Sequence, residues 1–192
     1  MGLLTLASGD IFRYEISQGT ELGKKAQEYI LNGQLVPDEV TIEMMRSRLE
    51  TDNARQNGFV LDGYPRSVAQ AQALDRLLEE LNKKLDRVVS LELDDEVIVG
   101  RLSGRRICEN CGDLYHLVSR PSKKEGACNK CGGRLVIRKD DNPDTIRQRL
   151  LVFHKTTEPV LNYYQGKGEV VKIDGALSTE QVYSQITEGL SA

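Results

Sequence analysis

Four cysteines in two close pairs constrain this chain more than any other feature of its sequence. They form two C-x2-C motifs separated by sixteen residues, at Cys108, Cys111, Cys128 and Cys131. Two motifs at this spacing can set four thiolates around one tetrahedral zinc ion, and Gly112 and Gly132 permit the tight turns that follow. The spacing therefore predicts a structural zinc site that holds residues 107–138 together as a small insert. Because protein would fill all four positions, no position is left open for catalysis.

Other interpretations of the cysteines stay open at this point. Two disulfides or four free thiols would use the same residues, although disulfides are rare in a reducing compartment. A nucleic-acid-binding zinc ribbon would also need four ligands, but it requires clustered positive charge and stacking aromatics. The chain has a net charge of -3, 5% aromatic residues and no tryptophan, so we expect no nucleic-acid partner. Iron or cobalt could take the place of zinc in a preparation.

Outside the insert, short apolar segments alternate with helical patterns. The apolar segments are residues 3–6, 59–61, 88–93 and 170–173. The helical stretches are residues 36–50, 67–84, 142–164 and 178–190. Asn142 and Ser178 are suited to cap the last two. Buried strands that alternate with helices predict an α/β fold, in which helices cover both faces of one parallel sheet.

The sequence gives no sign of a membrane or secretory segment. No apolar run reaches the eighteen or so residues that a membrane span needs. The first ten residues, MGLLTLASGD, have no basic region followed by a long apolar stretch, as a signal peptide would. We therefore expect a cytoplasmic protein with no membrane partner.

The stretch GFVLDGYPR, residues 58–66, combines an apolar strand with an acid and an arginine at its end. In an open parallel sheet, ligands bind beyond the carboxyl ends of the strands. Asp62 is placed there to hold Mg2+ beside nucleotide phosphates, and Pro65 stiffens the loop that carries Arg66. Taken alone, the same letters also fit a common turn with a surface arginine.

Further arginines bracket the insert. Arg101 and Arg105 are four residues apart, which predicts one face of a helix entering the insert, while Arg138 and Arg149 follow it. Together with Arg13 and Arg66 they make six arginines around one cleft. Such a set suits a polyanion whose transfer requires neutralised charge and excluded water.

Five motifs together resemble the adenylate kinase family, in the zinc-lid form known from many bacteria. They are ASGDIFR (7–13), NGQLVPDEVT (32–41), GFVLDGYPRSVAQAQAL (58–74), RLSGRRICENCG (101–112) and RKDDNPDTIRQRL (138–150). The resemblance implies the fold of the P-loop nucleoside monophosphate kinases. The core would be residues 1–106 and 139–192, with the AMP-binding part at about 8–37, and residues 107–138 would be the zinc lid.

The resemblance also implies substrates and residue roles. The substrates are ATP, AMP and ADP, with Mg2+ accompanying ATP. The AMP-binding residues would be Ser8, Arg13, Gln34, Leu35, Val36, Gly63, Tyr64, Pro65, Arg66, Gln70, Arg138 and Arg149. Those on the ATP side would be Arg101, Arg105, Leu114, Tyr115 and Leu177, and those serving catalysis Asp62, Arg66, Arg105, Arg138 and Arg149. Gln70 would read the adenine base, and Ser8 and Tyr64 stand where the family usually has Thr and Phe.

One departure from the family pattern is large. The family begins with a strand, a P-loop and a helix, whereas this sequence starts near the family's second strand. We expect the strands flanking the missing one to be left unpaired or to close up. We also expect slower transfer, because losing one electrostatic donor costs on the order of a hundredfold in rate.

The alternative function is a non-catalytic or weakly active AMP-binding remnant, or an engineered fragment, of an adenylate kinase. The family is usually monomeric, but an exposed sheet edge could promote pairing between chains.

Overall fold

The computed structural model describes residues 3–51, 58–167 and 170–191. The helices are α1 (Ser8–Ser17), α2 (Glu21–Leu31), α3 (Asp38–Leu49), α4 (Val68–Glu80), α5 (Asp95–Ser103), α6 (Pro143–Val152), α7 (Glu158–Gln165) and α8 (Thr179–Ser191). A π-helical turn, Phe153–Thr157, joins α6 to α7. The strands are β1 (Leu4–Ala7), β2 (Phe59–Asp62), β3 (Val88–Glu92), β4 (Arg105–Cys108), β5 (Leu114–His116), β6 (Leu135–Val136) and β7 (Val170–Asp174). The four strands and four helical stretches expected from the sequence are confirmed.

The parallel strands form two pairs instead of one sheet. β1 pairs with β2, with Leu6 opposite Leu61, and β3 pairs with β7, with Val88 opposite Val170. Within the described ranges, β2 and β3 share no ladder of backbone hydrogen bonds. The expected α/β class is present, but the parallel strands do not form the single sheet that was expected. Of the two outcomes expected for the strands flanking the missing one, to be left unpaired on that side or to close up, the described ranges show the first.

Helix α4 holds the two pairs together. Its Leu74, Leu77 and Leu78 belong to the larger apolar cluster, which contains Leu6 of β1 and packs against β2. Its Ala71 belongs to a second cluster with Val160 and Tyr164 of α7, against which β3 and β7 pack. Because one helix contributes to both clusters, α4 provides the shared packing that the divided sheet lacks.

The opposite side of the strand pairs is partly bare. Side chains along a strand alternate between two faces, and the residues that point away from α4 are exposed. Val60 of β2 is 46% exposed, and Val89 and Leu91 of β3 are 37% and 57% exposed. Helix α8 packs on this side against β7: a Cβ on Gly189 would lie 2.8 Å from Cγ1 of Val171, which pairs with Val89. Helices therefore lie on both faces of the β3–β7 pair, as expected, but the side chains of β2 and β3 on this side stay partly uncovered.

The insert folds as a small antiparallel sheet. β4 is its central strand, with β5 and β6 on either side, and Arg105 lies opposite His116. The expectation that Arg101 and Arg105 share one helical face is wrong, because only Arg101 lies on α5. Helix α5 ends at Gly104, whose N–H donates to the carbonyl of Gly100, and the chain then enters β4.

The π-helical turn fastens α5 to the helical segment after the insert. His154 Nδ1 lies 3.0 Å from Glu158 Oε2, and its Nε2 lies 3.0 Å from Asp95 Oδ2 at the start of α5. Hydrogen bonds to Glu158 and Asp95 raise the pKa of His154 above its usual range.

Across the described ranges, no helix has both the length and the apolar character that crossing a bilayer requires.

Two glycine-to-alanine changes should shift stability in opposite directions. A Cβ on Gly23 would lie 2.2 Å from the carbonyl oxygen of Glu15, where α2 crosses α1, whereas one on Gly100 meets nothing within 4 Å. Gly23→Ala should therefore lower the free energy of unfolding by about 1–3 kcal/mol through overpacking. Gly100→Ala should raise it by about 0.5–1 kcal/mol, because alanine favours the helix. Urea unfolding of both variants measures this, and shifts of the same sign would contradict the packing of α1 on α2.

The His154 contacts should make stability depend weakly on pH. A raised folded-state pKa means that the stabilisation is fully present below about pH 6.5, the usual unfolded value, and is lost as pH rises through the folded value. The effect should be small and sensitive to salt because the ring is half exposed. His154→Gln should remove this component, seen as a smaller difference from the unmodified chain at pH 8 than at pH 5.5 in denaturant titrations. An equal difference at both pH values would count against it.

Candidate functional site

A tight turn after β2 positions one arginine. Gly63 has φ +68°, and its carbonyl accepts hydrogen bonds from Ser8 Oγ at 2.7 Å and Arg66 Nε at 2.8 Å. A Cβ on Gly63 would lie 2.7 Å from Arg66 Nη2, so glycine serves both the backbone angle and the approach of the guanidinium. Asp62 is exposed at the strand end just before this turn.

This turn borders a pocket between α1, the α2–α3 loop and α6. The residues that line it are Ser8, Gly9, Phe12, Arg13, Ile30, Leu35, Val36, Thr41, Gly63, Arg66, Gln70, Asp140 and Arg149. One part of this lining is apolar and includes Ile30 and Val36, and another carries the charges of Arg13, Arg66 and Arg149. The pocket therefore suits a molecule with a flat apolar portion and an anionic portion. Four residues expected to bind AMP are not among the lining residues: the exposed Gln34, and Tyr64, Pro65 and Arg138.

Five arginines converge around this pocket. Burial lowers the pKa of Arg66, and so do the nearby charges of Arg149 and Arg13. The negative charge of Asp62 offsets part of this decrease. Burial, Arg105 and Arg13 lower the pKa of Arg138 in the same way. Arg138 Nε is buried and has no hydrogen-bond partner in the described part of the chain. Cations held this close together favour an anion with several oxygens, such as a phosphate group.

Two consecutive aspartates hold part of the arginine cluster. Asp141 is 1% exposed and receives two hydrogen bonds from Arg105, at 2.6 and 2.7 Å. Arg149 Nη1 lies 3.4 Å from Asp140 Oδ2 and 3.6 Å from Asp141 Oδ1. A two-point contact fixes the plane of the Arg105 guanidinium. Sequence reasoning missed both aspartates; the signal was their position in the segment just after Arg138 and Lys139, at the end of the insert.

A buried glutamine lies at another part of the pocket wall. Gln70 is 2% exposed, and its side-chain amide has partners at both ends. The N–H of Arg66 donates to Gln70 Oε1 at 2.8 Å, and Gln70 Nε2 donates to Asp38 Oδ1 at 2.7 Å. Tyr64 is buried beside it, and burial, followed by the charge of Asp38, raises the pKa of Tyr64 to about 12. Pro65 follows through a cis peptide bond.

The four cysteines meet in the insert. Their ligand atoms all lie within 4.8 Å of one another, and the cysteines are free, which contradicts the disulfide alternative. The Sγ atoms of Cys108 and Cys131 are 3.4 Å apart, and those of Cys111 and Cys128 are 3.6 Å apart. Four sulfurs at about 2.3 Å from a tetrahedral zinc would be ~3.8 Å apart, so the thiols fit such an ion after a small expansion.

One of the four thiols, Cys128, is contacted by two hydrogen-bonding groups of the insert. Tyr115 Oη lies 3.5 Å from Cys128 Sγ, and the N–H of Lys130 donates to the same sulfur at 3.3 Å. The Tyr115 hydroxyl is the main reason that the pKa of Cys128 falls to about 6. Against the lowering effect of the Gly133 N–H, the neighbouring thiols of Cys111 and Cys108 raise the pKa of Cys131 to about 12, so the four thiols do not ionise alike. A thiolate is the form that binds metal, so a metal ion bound here would displace protons from the cluster.

Apart from Arg105, which contacts Asp141, the positions expected on the ATP side fall into two groups. Arg101 Nη1 donates to the carbonyl of Gly175 at 2.7 Å, which brings it to the turn after β7 that also contains Leu177. Leu114 and Tyr115 lie on β5 in the insert, where Leu114 is exposed and Tyr115 is buried against the cysteines. None of these four residues lines the pocket described above.

The convergence of arginines at the carboxyl ends of parallel strands, beneath a four-thiol lobe, is the layout of a nucleoside monophosphate kinase. The family profile of adenylate kinase matches residues 1–169. The chain is 49% identical to the adenylate kinase of Geobacillus sp. (strain WCH70) over 187 residues, 97% of this chain and 86% of that protein. It is 48% identical to that of Caldicellulosiruptor bescii, over 97% of this chain and 85% of the relative. The adenylate kinase of Archaeoglobus fulgidus is 45% identical over 96% of the chain and 85% of its own length. This chain therefore belongs to the adenylate kinase family of enzymes.

The thiol cluster should bind one tetrahedral metal ion per chain. Added Co2+ should give the intense near-ultraviolet sulfur-to-cobalt bands of a four-thiolate site, and Zn2+ should displace it because zinc binds these ligands more tightly. Cys111→Ser should reduce the cobalt affinity by at least about tenfold, whereas Asp113→Asn, a neighbouring change that removes no thiol, should not. Bands that persist unchanged in Cys111→Ser would show that the metal binds elsewhere.

Proposed function

We propose that this chain catalyses reversible phosphoryl transfer from ATP to AMP, giving two ADP, with Mg2+. The observation that carries the proposal is that Arg13, Arg66 and Arg149 line one pocket together with the buried Gln70, while Arg138 lies close enough to Arg13 for their charges to interact. Cations for a phosphate and an amide for a base edge are the two elements that a nucleoside monophosphate requires. The name that the relatives share, adenylate kinase, supports the same assignment.

AMP would occupy the pocket with its phosphate at the arginines. Arg13 and Arg66 would bind that phosphate, and the Gly63–Arg66 loop with Ser8 would support it from below. Leu35 and Val36 would pack against the base, with the neighbouring Gln34 contributing from the loop surface, and Gln70 would bind the base edge. The apolar lining near Ile30 supports this orientation of the nucleotide.

The transfer itself would need no covalent enzyme intermediate. An oxygen of the AMP phosphate attacks the terminal phosphorus of ATP in line, while the bond between that phosphorus and the bridging oxygen breaks and ADP leaves. Arg105, Arg138 and Arg149 would neutralise the charge on the three oxygens of the moving group. Asp141, which binds Arg105, supports the positioning of this group.

Two metals belong to the proposal. Mg2+ would be held at the exposed Asp62 carboxylate together with nucleotide phosphates, an arrangement that this ion favours, and it would neutralise phosphate charge. Zinc would be structural at Cys108, Cys111, Cys128 and Cys131, for which the thiol separations provide support.

Residues 107–138 would act as a lid that excludes water. Arg101, Leu114, Tyr115 and Leu177 would contact ATP, and the chain would act as a monomer.

A second candidate is nucleotide binding without turnover. The printed sequence contains no G-x4-G-K-[S/T] motif, and β2 and β3 share no ladder in the described ranges. That motif supplies the backbone amides and the lysine that neutralise ATP phosphates. The AMP pocket, in contrast, has its full set of arginines, so AMP binding could persist where transfer does not.

A paired measurement separates the two candidates. The chain is titrated with AMP and with ATP by calorimetry, and ADP formation is followed by a coupled assay in the presence of Mg2+ and Zn2+. ADP formation that requires all of AMP, ATP and Mg2+ supports the transferase. AMP binding with no ADP above the enzyme-free rate supports the binding candidate, and binding of neither nucleotide would overturn both.

The role of Arg149 can be tested against a matched control on the same helix. Arg149→Lys keeps the charge but removes the planar fork, so AMP affinity, and kcat/KM where turnover is measured, should fall about 10- to 100-fold. Arg147→Lys changes an exposed residue of α6 whose nearest acid is Glu96 at 3.8 Å, and both quantities should stay within twofold. Equal effects of the two changes would indicate that Arg149 does not bind the phosphate. Far-ultraviolet circular dichroism checks that both variants fold.

A further inference from the structure

The side-chain amide of Gln70 is held in one orientation. At one end the N–H of Arg66 donates to Oε1 at 2.8 Å, and at the other end Nε2 donates to Asp38 Oδ1 at 2.7 Å. A backbone N–H can only donate, and an ionised carboxylate can only accept. Turning the amide over would set donor against donor and acceptor against acceptor. The two partners therefore exclude the flipped state.

Asp38 is itself fixed by a small ring of hydrogen bonds. Its Oδ2 accepts from Ser67 Oγ at 2.7 Å, and Ser67 Oγ in turn accepts from the N–H of Gln70 at 3.1 Å, which caps α4. Asp38 begins α3, where the helix dipole favours a negative charge. The carboxylate thus joins the start of α3 to the start of α4 beside the pocket wall.

Two hydrogen-bonding positions on Gln70 remain for a ligand. The side chain is 2% exposed and lines the pocket, and its two partners among the described residues use one N–H of Nε2 and one lone pair of Oε1. A second N–H and a second lone pair are left. A 6-aminopurine offers an acceptor at N1 and a donor at N6, whereas a 6-oxopurine offers a donor at N1 and an acceptor at O6. A glutamine free to turn over would match either base, and a fixed one matches only one of them.

We propose that Asp38 is a positioning residue for base specificity: together with the Arg66 N–H it fixes the Gln70 amide, and so lets the pocket accept 6-aminopurine monophosphates and reject 6-oxopurine monophosphates. This inference rests on the proposed function, in which the pocket binds AMP. It assigns the choice between bases to a residue that does not itself touch the base. The choice would arise because the wrong base leaves buried donors and acceptors unpaired.

The test measures the affinities of AMP and IMP by calorimetry on the full chain, so it does not depend on turnover. In the unmodified chain AMP should bind at least about thirtyfold more tightly than IMP, since a mismatched buried hydrogen-bonding group carries a penalty of this order. In Asp38→Asn, an isosteric change, either end of the new amide can face Gln70. The ratio of IMP to AMP dissociation constants should then fall about fivefold to tenfold. Glu39→Gln, which removes a charge from the same helical turn, should leave the ratio unchanged.

The ratio distinguishes positioning from general loosening, because a loosened pocket weakens AMP and IMP alike. A ratio within twofold of the original in folded Asp38→Asn would overturn the inference while leaving AMP binding, and so the proposed function, intact. Failure of the unmodified chain to bind AMP would overturn the proposed function instead. Should Asp38→Asn not fold, purine riboside monophosphate, which keeps the N1 acceptor and lacks a 6-substituent, is titrated on the unmodified chain. It should bind between AMP and IMP, and IMP binding as tightly as AMP would overturn the inference.

Discussion

Repulsion between neighbouring guanidinium groups is the constraint on which the rest of this structure depends. Arg66 and Arg138 are held among other arginines with enough burial that their pKa values are lowered, and Asp140 and Asp141 offset only part of the charge. The mutual repulsion of these side chains opposes folding, so the backbone and its other contacts must hold them close together. The backbone features that hold them are the Gly63 turn at the end of β2 and the start of α6, where Asn142 caps the helix and Pro143 follows. Under the proposed function, a bound phosphate would neutralise this charge, so the repulsion in the free protein would favour the binding of polyanions.

The strand pairs on the two sides of the site are connected by helix packing and not by a continuous sheet. In an ordinary parallel α/β fold, adjacent strands carry the mechanical continuity from one side of the site to the other. Here β2 and β3 share no ladder within the described ranges, and continuity passes through side chains of α4 to both apolar clusters. The Ser67 cap at the start of this helix also supports Gln70, so the element that joins the two halves also carries part of the pocket wall.

Much of the site could be predicted from the sequence, because it depends on local patterns. The acid and arginine around Gly63 follow from a strand that ends in a tight turn, and the cysteine lobe follows from spacing alone. The failures have physical causes. The i, i+4 spacing of Arg101 and Arg105 indicated a helix, but Gly104 ends it and strand pairing takes over. Helices α1 and α2 were not predicted. Each is short and mostly polar, so its few apolar residues do not form a clear helical pattern in the sequence. Asp38, Asp140 and Asp141 look like solvated acids until tertiary contacts bury or fix them, and the break between β2 and β3 depends on pairing that no local pattern encodes.

The bare side of the strand pairs has a consequence for how the chain behaves in concentrated solution. Val60, Val89 and Leu91 project from strands that each have one backbone edge without a partner strand in the described ranges. During refolding these edges are available to other molecules before the clusters around α4 close. Association depends on concentration and closure does not. The yield of correctly refolded chains will therefore fall as the protein concentration rises, even under conditions where the native state is stable.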